Sequence, residues 1–563
     1  MSEKTRQREL SHKGLAKGSI GLVGAVAIGI SCIAPDYTLT ATLGIAAGEV
    51  GHWVPSIVWL GLVPMLFVAL GYRELNRSIP DSGTSFTWGA RALGPRFGWL
   101  TGWGLIASTI VVLASLAQIA AVFLYETIDW IVQLLGNSDW TVLGDLNAGK
   151  QWYNVLFNVV SVVLLTAGAT WFVYHDIQIT ARFQYIMVAF QLVAVFIFGV
   201  VAIVKHNNGT GPSYGADFSW DWLNPISAVS ELGSGALISG LAVAVFIYWG
   251  WDVVLTMTEE TKDPQKTPGR AAAWTVVLIT VYYLFISTSA IIFAGVGNQE
   301  LGLTGEAITE GENVFRVLAV PVMGRGLAII VFLAILSSSL ASLESTFVSP
   351  ARTMLAMGHY GGLSARFAKT SKFATPGTAT LVAGGVAAGY YALMRPISNN
   401  VLSDTMVTTA ILICFYYGLT SFAAVWYFRR QWFASVRNFW FQLFFPLVGG
   451  LFLAFMFVHE LIASLSPDYG GGSSLSFNLF GWHAKIGLVF ILSVLILALG
   501  IGFMIYNQVK RPEFFQRQTT SIPVGAAQGN KLDPHFHALT DAAIDQAKAG
   551  EDFSLHAADG PES

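Results

Sequence analysis

The sequence predicts an all-α integral membrane protein with 12 transmembrane helices, and three observations lead to this fold class. First, 54% of the residues are hydrophobic and only 12% are charged, and the mean hydropathy is +0.58. Second, the chain contains a series of long uncharged segments. Third, Lys and Arg concentrate in alternate connections between these segments. A soluble domain would not combine these features.

Twelve apolar segments are close to or above the roughly 20 residues that a helix needs to cross a bilayer. In chain order they are residues 18–48, 53–72, 97–125, 152–174, 183–204, 234–258, 271–296, 326–351, 376–394, 406–428, 439–458 and 486–506. The connections rich in Lys and Arg lie on one side, together with both chain ends. The positive-inside rule therefore predicts that both termini are cytoplasmic. With no organelle address visible in the sequence, we expect the plasma membrane.

Two of these segments, the first and the sixth, are interrupted near the middle and carry an acidic residue just after the interruption. Gly and Pro at such positions weaken the backbone hydrogen-bond ladder, so the freed groups are expected to line a cavity. Broken helices in corresponding positions of two halves indicate a substrate site at the bilayer midplane. The candidate binding residues are Gly29, Ile30, Ser31, Cys32, Pro35, Asp36, Tyr248, Trp249, Gly250, Trp251 and Asp252.

Several classes of function are excluded. The net charge of -3 and the lack of a basic run argue against nucleic-acid binding. The two cysteines, Cys32 and Cys414, lie in apolar segments, so neither a disulfide framework nor a cysteine metal site is expected. No phosphate-binding loop of an ATP-driven pump and no nucleophile-base pair is visible. We predict that the protein is not an enzyme and has no metal or organic cofactor.

Four blocks of sequence resemble one family, the amino acid/polyamine/organocation (APC) permeases. The blocks lie at the helix 2 to 3 loop, in helix 6, after helix 6 and at the helix 8 to 9 junction. They are residues 73–86 with 93–95 and 100–103, residues 246–252, residues 259–264, and residues 351–357 with 375–376. The resemblance extends over about residues 17–510 and identifies the family but not the substrate.

The resemblance implies a LeuT-like fold of two inverted five-helix repeats, with helices 1 and 6 broken and two further C-terminal helices. The implied boundaries are 1–17 for a cytoplasmic tail, 18–204 and 234–428 for the repeats, 205–233 for an outer loop, 429–511 for helices 11 and 12, and 512–563 for a flexible cytoplasmic tail. In this family the substrate carboxylate faces a half-helix start and its ammonium faces unwound carbonyls, which agrees with the charges at helix ends.

Asp36 and Asp252 follow the two interruptions, and each has two interpretations. Pro35 is well placed to begin a half-helix, and an acidic residue in the first turn is stabilised by the exposed amides. We therefore interpret Asp36 first as a capping residue. The alternative is direct attraction of a substrate ammonium or a coupling cation, and the same two interpretations apply to Asp252.

Glu344 lies deep within helix 8, where a charged side chain costs about 2.5 to 3.5 kcal/mol on insertion scales. Many relatives have a lysine in helix 5 where this chain has Gln191. The resemblance places a cation site between helices 1, 5 and 8. We predict that Glu344 carries a proton there, near Gln191 and Ser345. The alternative is a protonated acid that joins helices structurally.

The remaining candidates are aromatic or charged residues near the helix ends. Tyr416 on helix 10 is a candidate gate residue. Glu259, Glu260 and Arg352 lie at predicted cytoplasmic helix ends, where they form either an inner gate or, as the simpler interpretation, solvated loop charges.

These observations favour a secondary active transporter that moves an amino acid or related amine by alternating access, as a proton symporter. Its expected partners are the substrate, protons and the lipid bilayer. One alternative is an exchanger or a polyamine importer. A second, from another class, is a nutrient sensor that binds its ligand without net flux.

Overall fold

The computed structural model of the chain describes residues 11, 13–15, 17–136, 140–175, 177–309, 313–398, 400–467, 469, 472–479 and 482–517. The predicted N-terminal tail, residues 1–17, and the predicted C-terminal tail, residues 512–563, lie largely outside the described residues. The predicted boundaries of the repeats remain predictions.

Helices make up most of the described chain. The first half contains α1 Leu22–Ile33, α2 Pro35–Val50, α3 Val54–Ser78, α4 Thr84–Ala92, α5 Pro95–Leu134, α6 Val142–Ala148, α7 Trp152–His175, α8 Ile177–Asn207 and α9 Pro225–Glu231. The second half contains α10 Ser234–Ile247, α11 Val253–Thr256, α12 Thr267–Ala294, α13 Glu306–Thr309, α14 Val314–Thr346, α15 Val348–His359, α16 Gly377–Ile397, α17 Val401–Tyr427, α18 Val436–Asn438, α19 Phe445–Ala463, β1 Ser474–Leu479, β2 Trp482–Gly487, α20 Leu488–Lys510 and α21 Pro512–Phe515. Short 3-10 turns lie at Gly51–Trp53, Trp220–Leu223 and Thr258–Glu260, and a π-helical turn at Phe439–Phe444.

Within the described residues, nine helical stretches are long and apolar enough to cross a membrane. One of them, Leu22–Ser78, includes α1, α2 and α3, and another, Val314–His359, includes α14 and α15. Every one of the twelve apolar segments falls on a helix, but α10 has only 14 residues. α16 contains several Gly, Thr and Tyr residues, which lower its mean hydropathy, and it is not among the nine.

The expectation of an all-α protein is wrong in one place. Strands β1 and β2 form an antiparallel hairpin before α20, with Ser474 opposite Gly487 and Leu475 opposite Ile486. The sequence Ser-Leu-Ser-Phe-Asn-Leu of β1 alternates polar and apolar residues. This two-residue period is typical of a strand, because successive side chains point to opposite faces.

The bundle has two distinguishable ends. Lys13 contacts Asp81, and the ring of Phe514 stacks on Phe86 with centroids 5.5 Å apart. The two described chain ends therefore lie at one end of the bundle, which we call the terminal face. The C-terminal ends of α2 and α19 lie at the other end, the opposite face. Between the two faces, α1 packs against α8, α12 and α14.

Candidate functional site

The first helix is broken at Ala34, which separates α1 from α2. Ala34 has φ 51° and ψ 66°, a left-handed conformation, and its N–H donates to the carbonyls of Ile30 at 3.1 Å and Ser31 at 3.2 Å. Pro35 disfavours a helical conformation in the residue before it and provides no N–H. The predicted interruption is confirmed, but its position is corrected: Gly29 and its neighbours up to Ile33 remain in α1.

The second break separates α10 from α11, over residues 248–252. Gly250 has φ 111°, which favours glycine. A Cβ built on Gly250 would lie 3.1 Å from the carbonyl carbon of Cys32 and 3.1 Å from the backbone nitrogen of Ile33. The two broken helices therefore approach each other through their backbones, and this contact requires a residue without a side chain.

Hydroxyl groups satisfy carbonyls at both breaks. Thr38 Oγ1 donates to the carbonyl of Ile33 at 2.7 Å, and Ser342 Oγ donates to that of Cys32 at 2.9 Å. Tyr283 on α12 donates to the carbonyl of Ile247 at 3.0 Å. These carbonyls do not face an open cavity as expected. Neighbouring helices provide their hydrogen bonds, as an apolar environment requires.

Asp252 lies just after the second break and faces two tyrosines of α17. Its Oδ1 accepts a hydrogen bond from Tyr417 at 2.8 Å, and its Oδ2 accepts one from Tyr416 at 3.2 Å. Trp249 Nε1 donates to the Tyr416 hydroxyl at 2.9 Å. Since Asp252 is only 4% exposed, the hydroxyls take the place of water around this carboxylate.

The ring of Trp251 packs against those of Tyr72 and Tyr417, with centroids 5.1 Å from each. Tyr248 is turned away toward α3 and α12, where its hydroxyl donates to the carbonyl of Val58 at 2.9 Å and contacts Thr280. Of the predicted aromatic residues, Trp249 and Trp251 therefore lie beside Asp252, whereas Tyr248 joins neighbouring helices.

Asp36 is fully buried in the first turn of α2. Its Oδ1 accepts a hydrogen bond from Tyr282 of α12 at 2.5 Å. Its Oδ2 has no hydrogen-bond partner among the described residues. The carboxylate thus makes no capping hydrogen bond with the described part of its own helix, although its position near the helix start fits the predicted dipole interaction.

Helix α14 contacts the end of α1 through small polar side chains. Ser345 Oγ lies 3.4 Å from Ser31 Oγ, and Thr346 Oγ1 lies 3.4 Å from Cys32 Sγ. Glu344 and Gln191 are buried on α14 and α8. The side-chain amide of Gln191 has no hydrogen-bond partner among the described residues, so no hydrogen bond joins it to Glu344.

The terminal face is closed by buried charges. Lys13 Nζ lies 2.7 Å from Asp81 Oδ2 and 2.5 Å from Glu259 Oε1. Asp81 also accepts a hydrogen bond from Tyr360 at 2.7 Å. These four residues join the N-terminal segment, the connection after α3, the end of the second broken helix and the end of α15.

A second ion pair lies nearby. Arg352 donates from Nε to Glu260 Oε2 at 2.5 Å and from Nη2 to Oε1 at 2.9 Å. Both residues are almost completely buried, with 1% and 0% exposure. The interpretation of Glu260 and Arg352 as solvated loop charges is therefore wrong, because the two side chains form a bidentate ion pair that is shielded from water.

The pKa values of the terminal-face residues follow from this arrangement. Burial alone would raise the pKa of Asp81, but the ammonium of Lys13 and hydrogen bonds from Lys13, Tyr360 and the Gly83 N–H lower it to about 2. Burial opposes the charged form of Lys13, yet attraction to Asp81 and Glu259 raises its pKa above the ordinary value. The salt bridge therefore stays ionised through the neutral pH range.

A cavity of about 360 Å³ opens near the opposite face. The ends of α2, α10 and α19 and the first half of α17 line it, with Phe246 one turn before the second break. Glu49 and Glu460 are the charged residues of its lining, and no Lys or Arg of the described residues lines it. The structure thus combines a closed terminal face with an accessible, acidic opposite face.

Metal binding finds no support within the described ranges, where no group of three or more His, Cys, Asp or Glu residues is arranged to hold a metal ion. Several residues of the site were not singled out from the sequence: Lys13, Tyr72, Asp81, Tyr282, Ser342 and Tyr360. Asp81 lies within residues 73–86, which carry part of the family resemblance, so its position in that block could have marked it as a candidate. The others act through contacts between distant parts of the chain.

The fold and site define a class, the multi-pass helical membrane proteins in which two broken helices meet inside the bundle. The structure of MhsT in complex with L-phenylalanine has this fold: it matches 79% of this chain and 99% of that chain, with a TM-score of 0.55 and 13% identity. A sequence model of the amino acid permease family matches residues 20–491. The chain belongs to this permease family and is not an enzyme.

The names of individual relatives refer to different substrates. The low-affinity putrescine importer PlaP of Escherichia coli (strain K12) is 21% identical over 443 residues, which cover 78% of this chain and 88% of PlaP. The branched-chain amino acid permease BcaP of Bacillus subtilis (strain 168) is 26% identical over 295 residues, which cover 52% of this chain and 57% of BcaP. The large neutral amino acids transporter small subunit 2 of Oryctolagus cuniculus is 29% identical over 313 residues, which cover 54% of this chain and 52% of the rabbit protein.

The contact between the two breaks gives a first prediction. Gly250→Ala places a Cβ against the Cys32 backbone and forces a positive φ on alanine, so we expect a loss of roughly 1 to 3 kcal/mol in stability. The melting temperature of the purified protein measures it. Gly235→Ala, in α10 with open space around the new Cβ, is the control and should melt at or slightly above the wild-type temperature, because Ala favours a helix over Gly. Equal melting temperatures for both variants would contradict the proposed constraint.

The salt bridge at the terminal face gives a second prediction. Lys13→Met leaves the buried Asp81 without its cation, so the variant should lose about 3 kcal/mol near pH 7. A carboxyl with a depressed pKa stabilises the fold above its unfolded value of about 4, and this contribution is lost as the pH falls toward 2. The difference in melting temperature from wild type should therefore be largest near pH 7 and shrink in acid.

The control is Lys369→Gln, which removes an exposed cation from the same face. Its melting temperature should stay within about 1 °C of wild type at every pH. A Lys13→Met difference that does not change between pH 7 and pH 3 would show that its cause is lost packing rather than the ion pair.

Proposed function

We propose that the chain is a secondary active transporter that moves an amino acid or related amine across the plasma membrane by alternating access, in symport with protons. The observation that carries this proposal is the meeting of two broken helices beside Asp252, between a closed terminal face and an accessible opposite face. Discontinuous helices at such a point supply helix ends and backbone groups to a substrate. The family membership and the MhsT-like fold support the same conclusion.

The proposed membrane arrangement has 12 spans, two inverted repeats of five helices and two additional C-terminal helices. The terminal face, which carries Lys13 and both described chain ends, is then cytoplasmic, in agreement with the distribution of Lys and Arg. The cavity lined by Glu49 and Glu460 opens to the outside. The structure then corresponds to an outward-facing state.

In the proposed mechanism, a substrate enters from this cavity and passes Phe246 to reach the breaks. The ammonium group of the substrate replaces a tyrosine hydroxyl at Asp252, and Trp249 and Trp251 cover it by cation–π contact. Opening of the terminal face requires separation of Arg352 from Glu260 and of Lys13 from Asp81. These pairs form the proposed inner gate, with Tyr416 as part of the outer gate.

One specific observation favours an amine as substrate. Asp36, Asp252, Glu49 and Glu460 are acidic, and the described residues of the cavity and the breaks contribute no Lys or Arg. A carboxylate-bearing substrate gains a cationic partner in such a site only from helix ends. A second candidate function is therefore polyamine import or exchange, in line with the name of PlaP.

Uptake by purified protein in liposomes tests the proposal. We expect accumulation of at least one labelled compound from a panel of amino acids and putrescine, and its loss when the inward proton gradient is collapsed. Movement only into preloaded vesicles would establish exchange instead. Binding without any flux would contradict transport and favour a sensor.

The same vesicles test the proposed proton carrier. Glu344→Gln keeps the shape of the side chain but cannot release a proton, so it should abolish gradient-driven accumulation while exchange continues. Exchange is thus the internal control for folding. If Glu344→Gln protein still accumulates substrate normally, Glu344 does not carry the proton and its role is structural.

Asp252 gives the prediction for substrate binding. Asp252→Asn removes the negative charge but keeps the size, so the KM for an amine should rise by roughly tenfold or more, because a desolvated ion pair is lost. Asp217→Asn, an exposed residue outside the site, is the matched control and should leave the KM unchanged. An unchanged KM in Asp252→Asn would exclude Asp252 as the partner of the ammonium.

A further inference from the structure

A second concentration of charge lies at the terminal face, away from both breaks. The end of α3, the start of α12 and α18 enclose a cavity of about 240 Å³. Five cationic side chains line it, and we call it the basic cavity: Arg73, Arg77, Lys266, Arg270 and Arg437. Among its lining residues only Glu74 is acidic. Nothing in the proposed transport mechanism uses these side chains.

Glu74 organises two of the five cations. Its side chain is 3% exposed, and Oε1 accepts a hydrogen bond from Arg437 Nη2 at 2.5 Å and lies 3.6 Å from Arg73 Nη2. Arg77 and Arg270 are exposed and form no ion pair with any described residue. Lys266 lies 3.8 Å from Asp263. Two carboxylates cannot neutralise five cations, so the basic cavity keeps an excess of positive charge that suits an anionic ligand.

Apolar surface lies directly beside the basic cavity. The guanidinium groups of Arg73 and Arg437 lie over the ring of Phe441, at 5.1 and 5.3 Å from its centroid. Next to Phe441 in the chain, Trp440 is 40% exposed, and Val436, beside Arg437, is 77% exposed. Basic side chains next to exposed aromatic side chains are typical of the boundary between lipid and water.

We propose that the basic cavity binds the phosphate headgroup of an anionic phospholipid, whose acyl chains lie along the exposed surface around Trp440. Charge complementarity selects the anion, and the neighbouring apolar surface selects a lipid over a soluble phosphate. Basic cavities between membrane helices on the cytoplasmic side recognise such headgroups. A zwitterionic lipid is disfavoured because its own cation faces the same arginines.

A headgroup in this position contacts three elements at once. Arg77 belongs to α3, Arg270 to α12 and Arg437 to α18. Asn76, the neighbour of Arg77, already joins α3 to the segment before α12 through a hydrogen bond to the carbonyl of Pro264 at 2.8 Å. Binding of the lipid therefore adds a second connection between the same elements, and we expect it to raise the melting temperature.

The test uses the full chain in detergent, titrated with phosphatidylglycerol, with phosphatidylcholine of the same acyl chains, or with inorganic phosphate. Native mass spectrometry measures bound lipid, and thermal unfolding measures stabilisation. We expect phosphatidylglycerol to bind at lower concentration than phosphatidylcholine and to raise the melting temperature. Inorganic phosphate should not raise it.

The cavity variant is Arg77→Gln with Arg270→Gln, since both side chains are exposed and unpaired among the described residues. The concentration of phosphatidylglycerol for half occupancy should rise about tenfold or more. Arg366→Gln with Lys369→Gln removes two exposed cations from the same face outside the basic cavity, and it should change the value less than about twofold. Arg77→Lys with Arg270→Lys keeps the charge, so it should keep most of the binding.

Three results would overturn the proposal. One is equal binding of phosphatidylcholine and phosphatidylglycerol, and another is the same loss of binding in the cavity and control variants. The third is stabilisation by inorganic phosphate as large as that by the lipid, which would assign the site to a soluble anion. Because none of these measurements involves flux, they are independent of the proposed transport function.

Discussion

The structure depends on how the backbone is satisfied where two helices are broken inside an apolar bundle. Each unsatisfied N–H or carbonyl there costs several kcal/mol, since no water is available in hydrocarbon. Local partners satisfy the Ala34 N–H, which donates to its own helix, and the Ile33 carbonyl, which accepts from Thr38. Distant partners satisfy the carbonyls of Cys32 and Ile247, which accept hydroxyls from α14 and α12. Gly250 can approach Cys32 closely because it has no side chain. The positions of the flanking acids and aromatic rings follow from that contact.

The two faces of the bundle use polar groups differently. At the terminal face, full charges such as Arg352 and Glu260 are buried as matched pairs, which join segments far apart in the sequence. At the opposite face, Glu49 and Glu460 line an accessible cavity whose described lining contains no Lys or Arg. Around the breaks themselves the contacts are mainly hydroxyl to carbonyl or hydroxyl to carboxylate. Desolvated ion pairs hold one end, whereas hydrogen bonds from hydroxyl groups surround the centre.

Local backbone chemistry could be predicted from the sequence, but contacts between distant segments could not. Pro35 and Gly250 indicated both breaks, because proline and glycine change the backbone in any context. The break moved to Ala34 because the constraint falls on the residue before the proline. The tyrosine partners of Asp252 depend on how α17 is rotated, and the burial of Arg352 depends on the folded position of Glu260. The β-hairpin was missed although its alternation is visible, because the surrounding composition favoured helix throughout.

The hydroxyl of Ser345 shows how one side of a contact between helices can stay hydrogen-bonded when the contact is released. Besides approaching Ser31, it donates within its own helix to the carbonyl of Ala341 at 3.0 Å. If α1 were to tilt away, Ser345 would keep an acceptor in its own helix, whereas the buried Ser31 hydroxyl would lose its contact with Ser345 and need a new partner. Release of this contact therefore leaves only one hydroxyl, on α1, in need of a partner, which water or a substrate group can supply. A guanidinium such as that of Arg352, in contrast, leaves its carboxylate only if a new anion or water replaces it.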